Sequence, residues 1–269
     1  MSPLKLTVCG AAGRMGAALI KAIAENPETE LICALERSGS DQLGLDSGQI
    51  AGIGENGVSI SDDIDAAIDA SDGLIDFTIP TASIELAKRL SDKACFQVIG
   101  TTGFTAEEEM ELQKASSTAT ILRSGNMSLG VNLLAALVEK AAASLSASDF
   151  DIEVLEMHHK HKIDAPSGTA LLLGEAAAKG RNIDLAENSV RSRDGITGAR
   201  DEGTIGFATL RGGAVIGDHS VIFAGESERI ELGHFAQDRS LFARGAVKAA
   251  TWVSGKPHGL YSMRDVLGL

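Results

Sequence analysis

The sequence predicts an α/β chain: a doubly wound parallel-sheet domain first, then a smaller α+β domain with a mostly antiparallel sheet. Three observations predict it. Through residue 123, short apolar runs alternate with amphipathic stretches of helical period. Those runs are apolar on both sides, as strands covered by helices on two faces must be. Beyond about residue 150 the runs become rich in β-branched residues and follow one another at short spacing, which favours antiparallel pairing.

Taken in order, residues 4–9 read as a strand, 14–25 as a helix and 30–36 as a second strand. Residues 37–60 are rich in glycine and read as a loop. A short helix at 62–70, a strand at 74–77, a helix across 83–91, a strand at 96–99, a helix at 106–116 and a strand at 119–123 complete the alternation. Residues 129–145 form a long apolar helix after the turn Gly125-Asn126-Met127-Ser128. Then follow a strand at 151–157, a helix at 170–179 and a polar loop at 182–203. Three strands come next, at 204–211, 215–223 and 228–235, and a helix at 239–254. The boundary falls near residues 124–129. It gives a first domain of residues 1–126 and a second of 127–238, with residues 239–269 expected to return to the first.

The chain of 269 residues carries 24 Lys+Arg against 37 Asp+Glu, a net charge of −13. Such a balance offers no basic face for phosphate backbones, so a nucleic-acid partner is not expected. No apolar run is long enough for a membrane span, and the apolar start after Lys5 is broken by Gly10, Gly13 and Arg14, unlike a signal peptide. Cys9, Cys33 and Cys95 are an odd number in or beside apolar runs, which suits reduced thiols and a cytoplasmic location.

The turn Gly10-Ala11-Ala12-Gly13-Arg14-Met15-Gly16 stands between the first strand and the first helix. Glycines there permit a tight bend and close backbone approach to a pyrophosphate, and the helix start adds partial positive charge. The spacing is G-x-x-G-x-x-G, a weak signal alone. Glu36 strengthens it by ending the second strand twenty positions past Gly16, where a carboxylate can bind ribose hydroxyls. This is the Rossmann order of strand, turn, helix, strand and acid. Glu36 alone favours NAD, whereas Arg37 next to it could pair with the 2′-phosphate of NADP, so NADH and/or NADPH is the expected cofactor. Gly100-Thr101-Thr102-Gly103 and Ser124-Gly125-Asn126-Met127 follow later strands, on the edge where such a sheet holds its ligand. Taken singly, each of these reads rather as a simple turn.

Residues 156–170 concentrate His158, His159, Lys160, His161 and Lys162 in an otherwise acidic protein, followed by Pro166-Ser167-Gly168-Thr169 and a helix. Crowded cations repel unless an anion compensates, and a helix start offers N–H groups and hydroxyls to a carboxylate. Together they describe a small dicarboxylate site with acid–base groups near neutral pH. A solvated basic loop would account for the same charges. A transition-metal site is the third possibility, but the H-H-x-H run shows no carboxylate or cysteine partner at ligand spacing, so no metal is expected.

Taken together, these residues resemble the dihydrodipicolinate reductase (4-hydroxy-tetrahydrodipicolinate reductase) family. The similarity runs nearly end to end and is strongest at residues 8–16, 100–104, 126–132, 156–169 and 203–207; the H-H-x-x-K-x-D-A-P-S-G-T pattern from His158 to Thr169 is the most specific. The resemblance implies an NAD(P)H-dependent oxidoreductase of lysine and diaminopimelate biosynthesis that reduces 4-hydroxy-tetrahydrodipicolinate with loss of water. It implies that Gly10, Ala11, Ala12, Gly13, Arg14 and Met15 wrap the pyrophosphate, with Glu36 and Arg37 at the adenosine ribose. Gly100, Thr101 and Thr102, with Ser124, Gly125, Asn126 and Met127, would contact the nicotinamide half. It further implies His158 as proton donor and acceptor and Lys162 as proton donor. His159, Lys162, Ser167, Gly168 and Thr169 would hold the substrate carboxylates, and the second domain's sheet would build a homotetramer. Two features depart from many relatives: Met127 stands where an aromatic residue is frequent, and Ser124-Gly125 where alanines are. Another amino-acid-type dehydrogenase would share the first half, and a nucleotide-sensing regulator would need a partner or DNA-binding surface that the sequence does not display.

Overall fold

The computed structural model of the protein describes residues 2–269. Contacts divide the chain into two compact units, residues 1–128 with 240–269, and residues 129–239.

In the first unit the chain runs β1 (Leu4–Cys9), α1 (Arg14–Ala24), β2 (Thr29–Leu35), α2 (Ser47–Ala51), β3 (Ile60–Ser61), α3 (Ile64–Ala70), β4 (Gly73–Asp76), α4 (Pro80–Arg89), β5 (Phe96–Ile99), α5 (Ala106–Ala115) and β6 (Thr120–Arg123). The second unit holds α6 (Leu129–Ser144), β7 (Asp151–His158), α7 (Gly168–Arg181), α8 (Leu185–Asn188), β8 (Ser189–Val190), β9 (Ile205–Arg211), β10 (Asp218–Ala224) and β11 (Arg229–Phe235). The chain then re-enters the first unit as α9 (Ser240–Val253), β12 (Gly259–Tyr261) and α10 (Met263–Leu267).

The first sheet has the order β12-β6-β5-β4-β1-β2-β3, with every pairing parallel. This is the doubly wound architecture. Its strands are apolar because both faces are covered; Leu6, Val8, Leu74, Ile75 and Val98 are fully buried. Strand order reverses between β1 and β4, the switch point where ligands of open α/β sheets bind. The register sets Cys9 beside both Leu35 and Asp76, Asp76 beside Ile99, and Ile99 beside Arg123. Gly10, Glu36, Gly100 and Ser124 therefore all emerge from one edge of the sheet.

In the second unit α6 and α7 pack on one face of a five-stranded sheet of order β11-β10-β7-β9-β8. Strand β7 alternates strictly, with Ile152, Val154, Glu156 and His158 on the buried face. Its apolar half joins Val221 and Phe223 of β10 in the core, each buried side chain contributing roughly 1.5–3 kcal/mol.

Four differences from the sequence reading have physical reasons. Residues 37–60 contain α2, a single turn whose start is tied by the Asp46 carboxylate accepting from the Gln49 amide. The 182–203 loop likewise holds α8, capped by Asp184, and the two-residue β8. The second sheet is mixed, because β9 runs parallel to β7 and β8 parallel to β9, while only the β7–β10 and β10–β11 pairs are antiparallel. Alternation reports which face a residue takes, not strand direction. Finally, β12 extends the first sheet as a seventh strand beside β6. Among the described residues no helix is long and apolar enough to cross a membrane.

Candidate active site

At the edge of the first sheet, Gly10 has φ +71° and turns the chain out of β1, and the Gly13 amide donates to the Gly10 carbonyl at 3.0 Å. Gly13 is the N-cap of α1, has no side chain to cap with, and is followed by no acidic residue in the first turn. The helix start thus keeps its partial positive charge unquenched. A Cβ at Gly16 would stand 2.2 Å from the Gly10 carbonyl oxygen and 2.6 Å from that of Ala11, so only glycine lets helix and turn approach this closely. One Glu36 oxygen accepts from the Ala12 amide at 3.2 Å and the other from the Arg37 amide at 3.0 Å, fixing the carboxylate beside the turn. Arg14 and Arg37 are exposed, and Met15 is half-buried.

The later turns are built on a buried polar chain. Asp76 accepts from the Thr78 amide and hydroxyl and from Gln97 Nε2, Gln97 also donates to the Ser83 carbonyl, and the Ser83 hydroxyl donates to Thr101 Oγ1 at 3.0 Å. Thr101 consequently points inward and is buried, leaving Gly100 and the exposed Thr102 at the surface. The Ser124 hydroxyl donates to the Asn126 carbonyl, and Asn126 Oδ1 accepts from the Ser128 amide, which stiffens the turn around exposed Gly125. Met127 is only 1% exposed, so it offers packing rather than free surface.

In the second unit, the polar half of β7's buried face forms a tight cluster. His158 Nδ1 lies 2.5 Å from Glu156 Oε2, and the two are i and i+2 on one strand face. Arg211, from β9, donates to both Glu156 oxygens at 2.8 and 3.0 Å. The Ser167 amide donates to Glu156 Oε1 at 3.0 Å. His219, opposite Glu156 on β10, meets the His158 ring edge-on with centroids 5.0 Å apart, and its Nε2 pairs with the Ser167 hydroxyl. That hydroxyl also caps α7 by accepting from the Ala170 amide. Burial would raise the Glu156 carboxyl, but Arg211, His158 and the Ser167 amide overcome it and hold it below the usual carboxylate range.

The remaining cations follow β7. Lys162 Nζ donates to both oxygens of Asp164 at 2.7 and 2.8 Å. A pocket of 570 Å³ is lined by His159, Lys160, His161, Gly213, Ile216 and Arg239. Arg239 donates to His159 Nε2 at 3.0 Å, which leaves His159 Nδ1 as the protonated nitrogen. That Nδ1 is buried with no partner among the described residues. Partial burial lowers the basicity of His159, helped by Arg239, His158, His161 and Lys162 around it. An anion arriving there would relieve the repulsion among these cations. Gly168 is exposed and Thr169 half-buried at the first turn of α7, where no acidic residue competes.

The structure thus gathers His158, His159, Ser167, Gly168, Thr169 and Lys162 in one unit, and the glycine turn, Glu36, Arg37 and the two later turns on one sheet edge of the other. Sequence reasoning missed Glu156, Arg211, His219, Asp164 and Arg239. The expectation that the histidine run lacks a carboxylate partner is corrected: Glu156, His158 and His219 bring potential ligand atoms within 4.8 Å of one another. Arg211, already 2.8 Å from the shared carboxylate, places a positive charge where a cation would have to sit.

Burial, then the neighbouring His158 ring, pushes His219 down to about 4 from an ordinary value near 6.5. Between those values the unfolded chain binds a proton that the folded one refuses, so stability rises with pH through this window and falls on acidification. The full contribution is about 3 kcal/mol. A His219→Gln variant is expected to flatten the wild-type loss of urea midpoint between pH 6.5 and 4; an unchanged slope would refute the assignment.

The comparisons follow the geometry. Residues 4–127 match the family described as dihydrodipicolinate reductase, N-terminus, and residues 130–267 match dihydrodipicolinate reductase, C-terminus. The 4-hydroxy-tetrahydrodipicolinate reductase of Brucella abortus (strain 2308) is 60% identical over 264 residues, covering 98% of each chain. The 4-hydroxy-tetrahydrodipicolinate reductase 1 of Mesorhizobium japonicum is 62% identical over 264 residues, 98% of this chain and 97% of that one. The solved dipicolinate-bound dihydrodipicolinate reductase from Paenisporosarcina sp. TG-14 shares the fold at TM-score 0.74 and 23% identity, over 97% of each chain. The chain belongs to the dihydrodipicolinate reductase family.

Proposed function

We propose that the protein reduces 4-hydroxy-tetrahydrodipicolinate to tetrahydrodipicolinate with loss of water, using NADH and/or NADPH, as a step of lysine and diaminopimelate biosynthesis. The observation that carries the reading is the pocket lined by His159, Lys160, His161 and Arg239, in the same unit as the His158 and Lys162 acid–base groups. A doubly negative ring answers the positive charge of that lining. Ser167, Gly168 and Thr169 add the start of α7 for a carboxylate.

The first unit fits a dinucleotide: the uncapped α1 start and Gly10 to Met15 receive the pyrophosphate, and Glu36 takes the ribose hydroxyls. Gly100, Thr102, Ser124, Gly125 and Asn126 would meet the nicotinamide half, with Thr101 and Met127 supporting from beneath. When bound, the reduced nicotinamide supplies the hydride. Lys162 stabilises the negative charge that develops on the substrate and donates a proton, and His158 moves the proton that completes the tautomerisation. The outer face of the second sheet carries Leu155, Met157, Ala208, Leu210, Ile222 and Phe235, with Leu210 49% and Phe235 64% exposed. Exposed apolar side chains on a sheet face, set among Glu153, Asp218 and Glu231, support assembly as a homotetramer. Three free cysteines suit the cytoplasm.

The test is the fall in absorbance of NADH or NADPH with substrate generated in place from pyruvate and aspartate semialdehyde. Turnover with neither nucleotide would sink the proposal. Arg37→Ala is expected to raise KM for NADPH about tenfold or more while leaving KM for NADH nearly unchanged; equal effects on both would remove Arg37 from the 2′ position.

A further inference from the structure

We infer that Glu156, clamped by Arg211, is the positioning residue of His158: its carboxylate accepts a hydrogen bond from Nδ1–H, orients the ring, and leaves Nε2 as the nitrogen that exchanges protons with the substrate. The inference deepens the proposed function and rests on it for the role of His158.

The tautomer follows from what surrounds the carboxylate. Glu156 is 1% exposed and accepts from Arg211 twice and from the Ser167 amide once. Donors on both oxygens keep it ionised, and an ionised carboxylate can only accept. The ring nitrogen 2.5 Å away must therefore be the one that carries hydrogen, and a neutral His158 has its lone pair at Nε2. Next to that nitrogen the chain has Gly217, where a Cβ would stand 2.9 Å from Nε2, so any side chain there would crowd it.

Arg211 does more than fill lone pairs. An uncompensated buried carboxylate would bind the imidazolium so strongly that the ring would hold its proton. The guanidinium on the same oxygens brings the carboxylate its own countercharge, so the clamp can orient the ring without leaving a lone buried charge beside it. The charged and titratable groups about the ring are Glu156 on its own strand, Arg211 on β9, His219 on β10, and His159 and Lys162 in the loop that follows. His219 stays neutral near pH 7, and its Nε2 is engaged with Ser167, so it acts as a wall rather than a second base. Arg211 also donates to the Asp164 carbonyl at 2.6 Å, so one guanidinium fixes both the Glu156 carboxylate and the turn that carries Lys162.

The experiment uses the full chain with 15N-labelled histidine, the His158 signals being assigned by their loss in His158→Asn. Nitrogen shifts above the titration of the ring should show a protonated Nδ1 and a bare Nε2; the opposite tautomer overturns the inference and needs no turnover to do so. Glu156→Gln should move the His158 titration, and the matching limb of the kcat/KM profile, about one unit to lower pH or more. The same variant should cut kcat about 10-fold to 100-fold with KM for the nucleotide unchanged. Arg211→Gln should move the titration the other way. Shifts in the same direction, or titrations unmoved in variants that melt like wild type, would reduce Glu156 to a packing role. A wild-type protein that shows the expected tautomer yet oxidises neither nucleotide would sink the proposed function and leave the geometry of the pair standing.

Discussion

Lys162→Ala is expected to lower kcat by about 10²-fold to 10⁴-fold, the range typical of losing a positioned general acid, and to leave nucleotide affinity within about twofold. The Lys162 ammonium is mostly covered, and Asp164 binds it through both oxygens in a lysine–carboxylate pairing that a substrate carboxylate can imitate. Alanine removes both the attraction and the proton. The nucleotide-binding candidates lie in the other unit, so their affinity has no reason to change. Initial rates combined with a fluorescence titration of NADH separate the two effects. Equal losses in both would show that Lys162 is a structural residue.

The second large effect is expected from one methyl group. Gly16→Ala would set a Cβ 2.2 Å from the Gly10 carbonyl oxygen and within 2.7 Å of the Ala11 carbonyl carbon. Both neighbours are backbone, so no side-chain rotation relieves the clash; α1 must back away from the turn. That displacement withdraws the helix start from the pyrophosphate it would bind and opens the packing beneath. We expect NADH affinity to fall at least about tenfold and Tm by several degrees, the strain being about 1–3 kcal/mol or more. Binding and melting like those of wild type would mean that the turn is not held as tightly as the carbonyl distances imply.

Much of this was legible in the sequence, and the illegible parts have common causes. The strands of the first sheet announce themselves because both faces are buried, which makes residues such as 6–9 and 96–99 short, mostly apolar runs interrupted only by Thr7 and Gln97. Gly259-Leu260-Tyr261 does not: three half-buried residues after Gly255 and Pro257 look like a tail, and only Thr120 to Leu122 beside them make a strand of them. The α2 turn, Ser47 to Ala51, is too short to show a period and owes its start to Asp46. At the site, His158 to Lys162 stand out because like charges crowd together. Glu156 was within reach, since a strand that alternates places positions 156 and 158 on one face. Arg211, His219 and Arg239 were not, because each arrives from a different segment and nothing local marks an arginine in β9 or a histidine in β10 as a partner of β7.

The placement of β12 has a consequence for how the protein is made. The first sheet begins with β1, ahead of the 129–239 unit, but ends on Gly259–Tyr261, which are synthesised after that entire unit. Until then β6 presents a bare edge, with unpaired amides and carbonyls facing outward. A nascent chain stalled inside the inserted unit is left holding that open edge, a natural client for chaperones, and α9 and β12 arrive last as the clasp that shuts it.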